Sequence, residues 1–498
     1  MFFFLDQHGC AKNQVDAELL IGILGEKGWT QTDVPEKSDL IIVNSCGFIE
    51  SAKVESLNAV ITARTAYPNA KVLLSGCLAE RYATNLVSGL PEADAFFGNG
   101  DLSRLPEILD SLFPPSTSDS SSRPVIVPDQ KGVCAGMRPQ LLSFPRSAYV
   151  KITEGCDNWC SFCAIPLIRG ALRSRSIEDI VNECGELISR GIYEINLIGQ
   201  DLAAFGCGSE DINPSPLPSS DLLVHSSNPS PLSLLLLSLS ALKGDFIIRL
   251  LYIHPDHFPR DILPVMTADT RFLPYFDMPF QAGDDKLIVA MNRKGNAASY
   301  KKLVQDVRSA FSKADTPYDM VAIRTTFLVG FPGETDESFE NTALFLSDIR
   351  SLWSGCFTWS REEDTVAADL KKRVPKKKAQ ARMERLQEIQ IGITPEELSV
   401  FVNKTLKVLV EECIPDVPTS VDANASGDAN ASSLEVAIPN THLALGRAWF
   451  QAPDVDGSIV LQYEDGQRDI DGGVIAPGSV VIARVLAVNG VDLEAVAL

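Results

Sequence analysis

Three cysteines stand close together in the stretch Cys156-Asp157-Asn158-Trp159-Cys160-Ser161-Phe162-Cys163, at the spacing C-x3-C-x2-C. Tetrahedral zinc takes four ligands, usually from paired C-x2-C motifs or with histidines added, and no fourth thiolate lies nearby. Three thiolates from one short loop suit a [4Fe–4S] cube with one iron left open. A second set is spread over the N-terminal part of the chain. Cys10 and Cys77 each follow a glycine directly and Cys46 precedes one, and all three stand just past an apolar run. A lone cysteine in such a place would read as a small core hydrophobe. Three in phase read as a second three-thiolate cluster site.

The elements that must position these thiols follow from the pattern around them. Apolar runs at residues 2–5, 40–43 and 71–74 read as strands. An amphipathic helix at 15–27 follows the first, and a helix to about residue 66 follows the second. Strand alternating with helix predicts a parallel α/β sheet, whose ligands gather past the C-terminal strand ends. The alternation resumes from residue 148, with strands expected at 148–152, 194–198, 247–252, 273–277, 323–329 and 355–359. Polar or glycine-rich loops follow several of these: Gly199-Gln200-Asp201, His254-Pro255, Pro279-Phe280-Gln281 and Gly330-Phe331-Pro332-Gly333-Glu334-Thr335.

The spacing of the loop at 156–163 resembles that of the radical-SAM superfamily. The stretches Gly9-Cys10-Ala11-Lys12-Asn13, Asn44-Ser45-Cys46-Gly47-Phe48-Ile49 and Gly76-Cys77-Leu78 resemble the N-terminal domain of its methylthiotransferase family. Ala11 and Ser45 depart from the usual Pro and Thr without touching a ligand. The resemblance implies an α/β protein: an N-terminal parallel domain, a partial (β/α)6 radical-SAM barrel, and a small antiparallel β-barrel of the TRAM type at the C-terminal end. It implies two [4Fe–4S] clusters and S-adenosyl-L-methionine as cofactors. Cys156, Cys160 and Cys163 would hold the cluster that cleaves S-adenosylmethionine to a radical; Cys10, Cys46 and Cys77 would hold the one that carries the transferred sulfur. Phe162, Gln200, Asp201, Gly330, Gly333 and Glu334 are the positions expected beside S-adenosylmethionine. Gly446-Arg447-Ala448-Trp449-Phe450-Gln451-Ala452-Pro453-Asp454-Val455-Asp456-Gly457 resembles the family branch that modifies a small-subunit ribosomal protein, S-twelve, at an aspartate β-carbon. A tRNA adenosine methylthiotransferase is the alternative within the chemistry, and a non-catalytic Fe–S scaffold that binds ribosomes the alternative outside it.

Composition bounds these readings. The 498 residues carry a formal charge of −21, which opposes retention on nucleic acid by bulk electrostatics. Eleven cysteines in so long a chain point to metal chemistry in a reducing compartment, hence the cytoplasm. No stretch is expected to span a membrane; the Leu-rich run at 232–242 is too short and carries serines. The expected division is an N-terminal domain at 1–113, a linker at 114–146, the barrel at 147–370 with an inserted loop at 206–231, a linker helix at 371–400 and a β-barrel at 401–498. Cys134, Cys207 and Cys356 receive no role, and Cys184 falls at core spacing with Ile180 and Leu187. Arg169, Arg173 and Arg175 could neutralise a cluster or hold a carboxylate. Residues 401–498 carry five basic and fourteen acidic side chains, net −9. On that sum Asp454, Asp456, Asp469 and Asp471 are expected on exposed loops that attract a basic ribosomal protein and repel RNA. A flavodoxin or ferredoxin would supply electrons.

Overall fold

In the computed structural model, residues 1–498 are described apart from 115–122, 210, 212–228, 319 and 416–440. The low-complexity tracts of the linker, the inserted loop and the C-terminal barrel lie outside the described residues. Among the described residues no helix is long and apolar enough to cross a membrane.

The first sheet holds β1 (Phe2–Gln7), β2 (Thr30–Gln31), β3 (Leu40–Ser45), β4 (Lys71–Gly76), β5 (Ala95–Phe97) and β6 (Val125–Ile126), all parallel, in the order β2-β1-β3-β4-β5-β6. Helices α1 (Ala11–Glu26), α2 (Glu50–Ala66), α3 (Cys77–Gly89) and α4 (Leu105–Leu112) connect them. One face packs Val15, Leu20 and Leu24 of α1 on Phe3, Leu40 and Ile42; the other packs Val60 and Ala63 of α2 on Ile41, Val43 and Val72. Two features differ from the sequence reading. Part of the expected linker forms the edge strand β6. And α1 starts directly after Cys10 and is buried on both faces, Asp16 and Glu18 included, because a second domain covers its polar side.

That domain is built on β7 (Ser147–Lys151), β10 (Glu194–Ile198), β11 (Ile247–Leu250), β12 (Phe272–Asp277), β13 (Ala322–Val329) and β14 (Trp353–Thr358), six parallel strands in sequential order. A two-stranded hairpin, β8 (Thr153–Glu154) with β9 (Arg173–Ser174), brackets α5 (Ile165–Arg169). Helices α6 (Ile177–Ser189), α7 (Pro231–Ser240), α8 (Ile262–Ala268), α9 (Asp285–Ala290), α10 (Ala297–Ser312) and α11 (Asp336–Ile349) follow the strands. The alternation of strand residues sorts them between two layers. Val150, Leu197, Ile248, Phe276 and Ile323 meet the helices, with Cys184 in the same core beside Ile180 and Leu187. Tyr149, Leu273, Tyr275 and Trp353 face the inside of the open barrel.

A basic run, Lys371-Lys372-Arg373-Val374-Pro375-Lys376-Lys377-Lys378, leads into α12 (Lys376–Leu398), and a closed barrel follows: β15 (Thr405–Ile414), β16 (Thr441–Arg447), β17 (Ile459–Glu464), β18 (Val480–Asn489) and β19 (Asp492–Ala497). Four of its pairings are antiparallel, and β17 with β19 is parallel. Ala448 and Phe450, between β16 and β17, share one apolar cluster with Tyr149 and Tyr275. The small barrel therefore plugs the inner face of the large one.

Candidate cluster sites

Cys10, Cys46 and Cys77 stand past the C-terminal ends of three adjacent strands, β1, β3 and β4. Cys10 caps α1 with extended backbone, and Cys77 is the first residue of α3. Asn13 ties the three loops together: its Nδ2 donates to His8 O and Ser45 O, each at 2.9 Å, and its Oδ1 lies 3.4 Å from Cys77 Sγ. Gly47 is held so close to the next loop that a Cβ there would meet Cys77 O at 2.7 Å. The thiols also sense one another. Burial and the neighbouring Cys77 push Cys46 up to about 12. Burial raises Cys77 too, with Arg169 opposing it. At Cys10 the burial effect is outweighed by Lys12 and Arg169, and the thiol sits below its ordinary value. Cys10 is solvent-accessible.

The second set lies between β8 and α5. Its loop is pinned from outside: Ser161 N donates to Met291 O at 3.0 Å, Asn292 Nδ2 to Trp159 O at 2.8 Å, and Ala367 N to Ser161 O at 2.8 Å. Burial raises Cys156 to about 11 and pushes Cys163 up as well, with Cys160 adding to both. Asn158 Nδ2 reaches Cys156 Sγ at 3.3 Å and Asp201 Oδ2 at 2.8 Å. His254 Nε2 lies 3.9 Å from Cys160 Sγ and its ring stacks on His257 at 4.9 Å. Burial and Arg293 hold His254 down to about 3, so it meets the thiol as a neutral ring.

The donor sets fit [4Fe–4S] clusters. Each offers three thiols, and each has a hydrogen-bond donor aimed at sulfur, Arg169 at Cys77 and Asn158 at Cys156. Among the described residues no three His, Cys, Asp or Glu side chains close on a point as a single metal ion requires.

The positions expected beside S-adenosylmethionine divide. Gln200 is half-buried and its Oε1 has no partner, as is also true of Trp359 Nε1 beyond β14. Phe162 packs on the barrel core. Asp201 is only 1% exposed and fully used, accepting from Asn158, His257 Nε2 at 2.6 Å, Ala203 N and His254 N. Glu334 turns back on its own loop, accepting from Gly330 N and Arg382 Nη1, each at 2.6 Å. Gly330 is required by the approach of α12, since a Cβ would stand 2.5 Å from Ala379 Cβ. Gly333 turns the loop with φ +90°. Asp201 thus positions its neighbours with both oxygens engaged, and both bonds to Glu334 fall on Oε2.

Of the three arginines after the cluster loop, only Arg169 reaches a thiol: its Nη2 donates to Cys77 Sγ at 3.2 Å. Arg173 serves the carbonyls of Gly132, Arg169 and Ala171, and Arg175 serves Lys151 O and Glu183. Neither approaches a cluster site or a free surface. Sequence reasoning also passed over Lys12, whose Nζ sits 3.3 Å from the Tyr252 ring centroid at the barrel mouth, and Arg81 and Lys53, which grip Glu362 beyond β14 at 3.0 and 3.1 Å. Asn158 and the pair His254 and His257 were the legible signal, being polar residues inside or just past predicted site loops.

The charge expectation for the C-terminal barrel needs correction. Asp456 has no exposed side-chain surface; it accepts from Tyr275 OH at 2.6 Å, Ala452 N at 2.8 Å and Arg324 Nε at 3.2 Å. It fastens the small barrel to the large one and cannot dock a partner. Asp454, Asp469 and Asp471 do lie outside the strands, and Asp454 accepts from Tyr149 OH at 3.2 Å. Arg447 is buried as well, paired with Glu194 Oε2 at 2.7 Å and with Glu411. A cavity of about 390 Å³ beside Cys134, Glu26 and Lys131 touches none of the six cluster-site cysteines.

Comparison with known proteins agrees in outline with this geometry. Residues 3–98 match the uncharacterized protein family UPF0004, residues 150–346 the radical SAM superfamily and residues 435–498 the TRAM domain. The chain is 56% identical to the ribosomal protein uS12 methylthiotransferase RimO of Treponema denticola, covering 99% of this chain and 100% of the relative. The protein of that name from Thermotoga maritima is 34% identical over 91% of this chain and 92% of its own. In fold, the chain is similar to the radical S-adenosylmethionine methyltransferase TsrM of Kitasatospora setae, with a TM-score of 0.51 at 13% identity, over 74% of this chain and 76% of that one.

Proposed function

Because the chain belongs to the RimO family of radical-SAM ribosomal protein methylthiotransferases, we propose that it places a methylthio group on the β-carbon of an aspartate of ribosomal protein uS12. The observation that carries this reading is the meeting of two three-thiol sets across one domain boundary. Cys156, Cys160 and Cys163 would hold one [4Fe–4S] cluster beside S-adenosylmethionine, and Cys10, Cys46 and Cys77 the other. When bound, these groups supply one-electron chemistry able to activate a C–H bond that no side-chain acid or base could ionise.

The chain's own residues do the rest. Asn13 and Gly47 hold three strand-end loops in register. Asn158, steadied by Asp201, orients Cys156. Gln200 and Trp359 offer free polar atoms where a cofactor's polar groups need partners. Lys12, with its ammonium over Tyr252, sets a positive charge beside Cys10. The reductant would be a flavodoxin or ferredoxin, and the ribosomal substrate would place the reaction in the cytoplasm.

The test is to incubate anaerobically reconstituted protein with S-adenosylmethionine, a sulfide source and reductant, together with uS12 or with tRNA, and to weigh both substrates. A methylthio adduct is expected on the ribosomal protein alone. An adduct on tRNA with the ribosomal protein unchanged would overturn the substrate assignment.

A further inference from the structure

Arg169 is delivered by one cluster loop and touches the other site. It ends α5, the helix that begins two residues after Cys163, and it is 3% exposed. Its Nη1 is held by Asp16 Oδ2 and Glu154 Oε1, each at 2.8 Å. Its Nη2 donates to Asn13 Oδ1 at 2.9 Å and to Cys77 Sγ at 3.2 Å. The Asn99 amide, turned as its neighbours require, accepts from Nε at 3.2 Å and from Nη2 at 3.1 Å. Lys151 closes the set with 2.5 Å contacts to Asp16 and to Glu154, and Gln200 Nε2 reaches Glu154 Oε1 at 3.2 Å. An unbroken chain of polar contacts thus runs from Cys77, through Arg169 and Glu154, to half-buried Gln200, whose amide oxygen has no partner.

The charges in this set are two cations, Arg169 and Lys151, against two carboxylates, Asp16 and Glu154. The sum is zero. A guanidinium satisfied by two carboxylates alone would need no thiol, and here the planar fork is split, one side on carboxylates and the other on sulfur. Hydrogen bonds and positive charge at a ligand sulfur favour the more reduced, more negative state of an iron–sulfur cluster.

We propose that Arg169 is a positioning residue shared by the two sites: carried by the barrel's cluster loop, it sets the reduction potential of the N-terminal centre through Cys77. The proposal rests on the reading that Cys77 is a cluster ligand. Removing Arg169 deletes the N–H···S bond and leaves the buried set with a net charge of −1. Both changes act in the same direction, toward a more negative potential. Neutralising Glu154 instead leaves a net charge of +1 and acts oppositely.

The experiment is an EPR-monitored redox titration of the full reconstituted chain, with iron counted per chain, for wild type, Arg169→Gln, Arg169→Lys and Glu154→Gln. The Cys10→Ala/Cys46→Ala/Cys77→Ala variant identifies which signal belongs to the N-terminal centre; if its iron content equals that of wild type, the ligand reading itself fails, independently of Arg169. With that centre assigned, Arg169→Gln is expected to move its midpoint to a more negative potential and leave the barrel centre in place. Arg169→Lys, which keeps the charge and loses the fork, should move it less, and Glu154→Gln should move it to a more positive potential. An unmoved N-terminal midpoint in fully loaded Arg169→Gln overturns the proposal. So does an equal shift of both centres. Should Arg169→Gln not load, the sign of the Glu154→Gln shift decides.

Discussion

At the scale of single residues, identity and position separate cleanly. The six cysteines proposed as cluster ligands stand out by spacing, because a ligand set imprints itself on sequence as residue type and interval. What surrounds them could not, since the partners come from distant segments: Asn13 and Asn99 flank Cys77, and Asp201 reaches Cys156 only through Asn158. Asp456 shows the same limit from the other side. Its loop position reads as exposed, and only the fold reveals Arg324 and Tyr275 closing over it. Asp456→Ala should therefore cost about 3 kcal/mol of stability, because it leaves Arg324 only Asp277 at 3.6 Å and takes the acceptor from Tyr275 OH. Asp454→Asn, at an exposed position whose φ of +64° asparagine also tolerates, should stay within about 0.5 kcal/mol. Thermal unfolding of the two variants checks both, and equal losses would show that Asp456 is no lock.

At the scale of elements, strands were legible and their surroundings less so. Each strand of the large barrel was anticipated within a few residues, because buried parallel strands are short continuous apolar runs. The edge strand β6 was hidden in the linker, as two residues carry no pattern. The helix α1 misled by one face: its acidic residues imply solvent, yet Asp16 and Glu18 are buried against Lys151, Arg169 and Arg138. Close loop approach gives a sharp test at this scale. In Gly47→Ala the new methyl would overlap the Cys77 carbonyl, so the Cys46 loop must move away from α3. Iron analysis should then find one cluster in place of two, with cleavage of S-adenosylmethionine retained. Two clusters in that variant would mean the loops need no such contact.

At the scale of the whole molecule, the C-terminal barrel is fastened to the large barrel by buried charge. Glu194 accepts from Arg249 and Arg447, Arg249 Nη1 also donates to Trp449 O at 2.7 Å, and Trp353 Nε1 donates to Phe450 O at 2.6 Å. Burial pushes the Glu194 carboxyl up, but Arg447 and Arg249 outweigh it and hold it well below the usual range. A carboxyl depressed in the folded state contributes stability in full above its ordinary value and loses it as pH falls toward the depressed one. The wild type should thus lose stability between about pH 4 and pH 2 in part through this residue. Glu194→Gln should be less stable at neutral pH and show a shallower acid slope; parallel slopes would exclude Glu194 as the source. Net charge gave no view of this, because a sum over residues counts the buried Arg447 and Asp456 with the exposed ones. The doubly buried α1 carries a further consequence, for the order in which the chain is made. Asp16 and Glu18 leave the ribosome long before Arg138, Lys151 and Arg169, the cations that neutralise them. Until then the nascent first sheet must carry a helix whose second face has nothing to bind. The N-terminal domain is complete in topology early and complete in energy only once the start of the barrel has been synthesised. Residues 1–113 expressed alone should accordingly show helix and sheet by circular dichroism yet exchange the amides of α1 far faster than the full chain does.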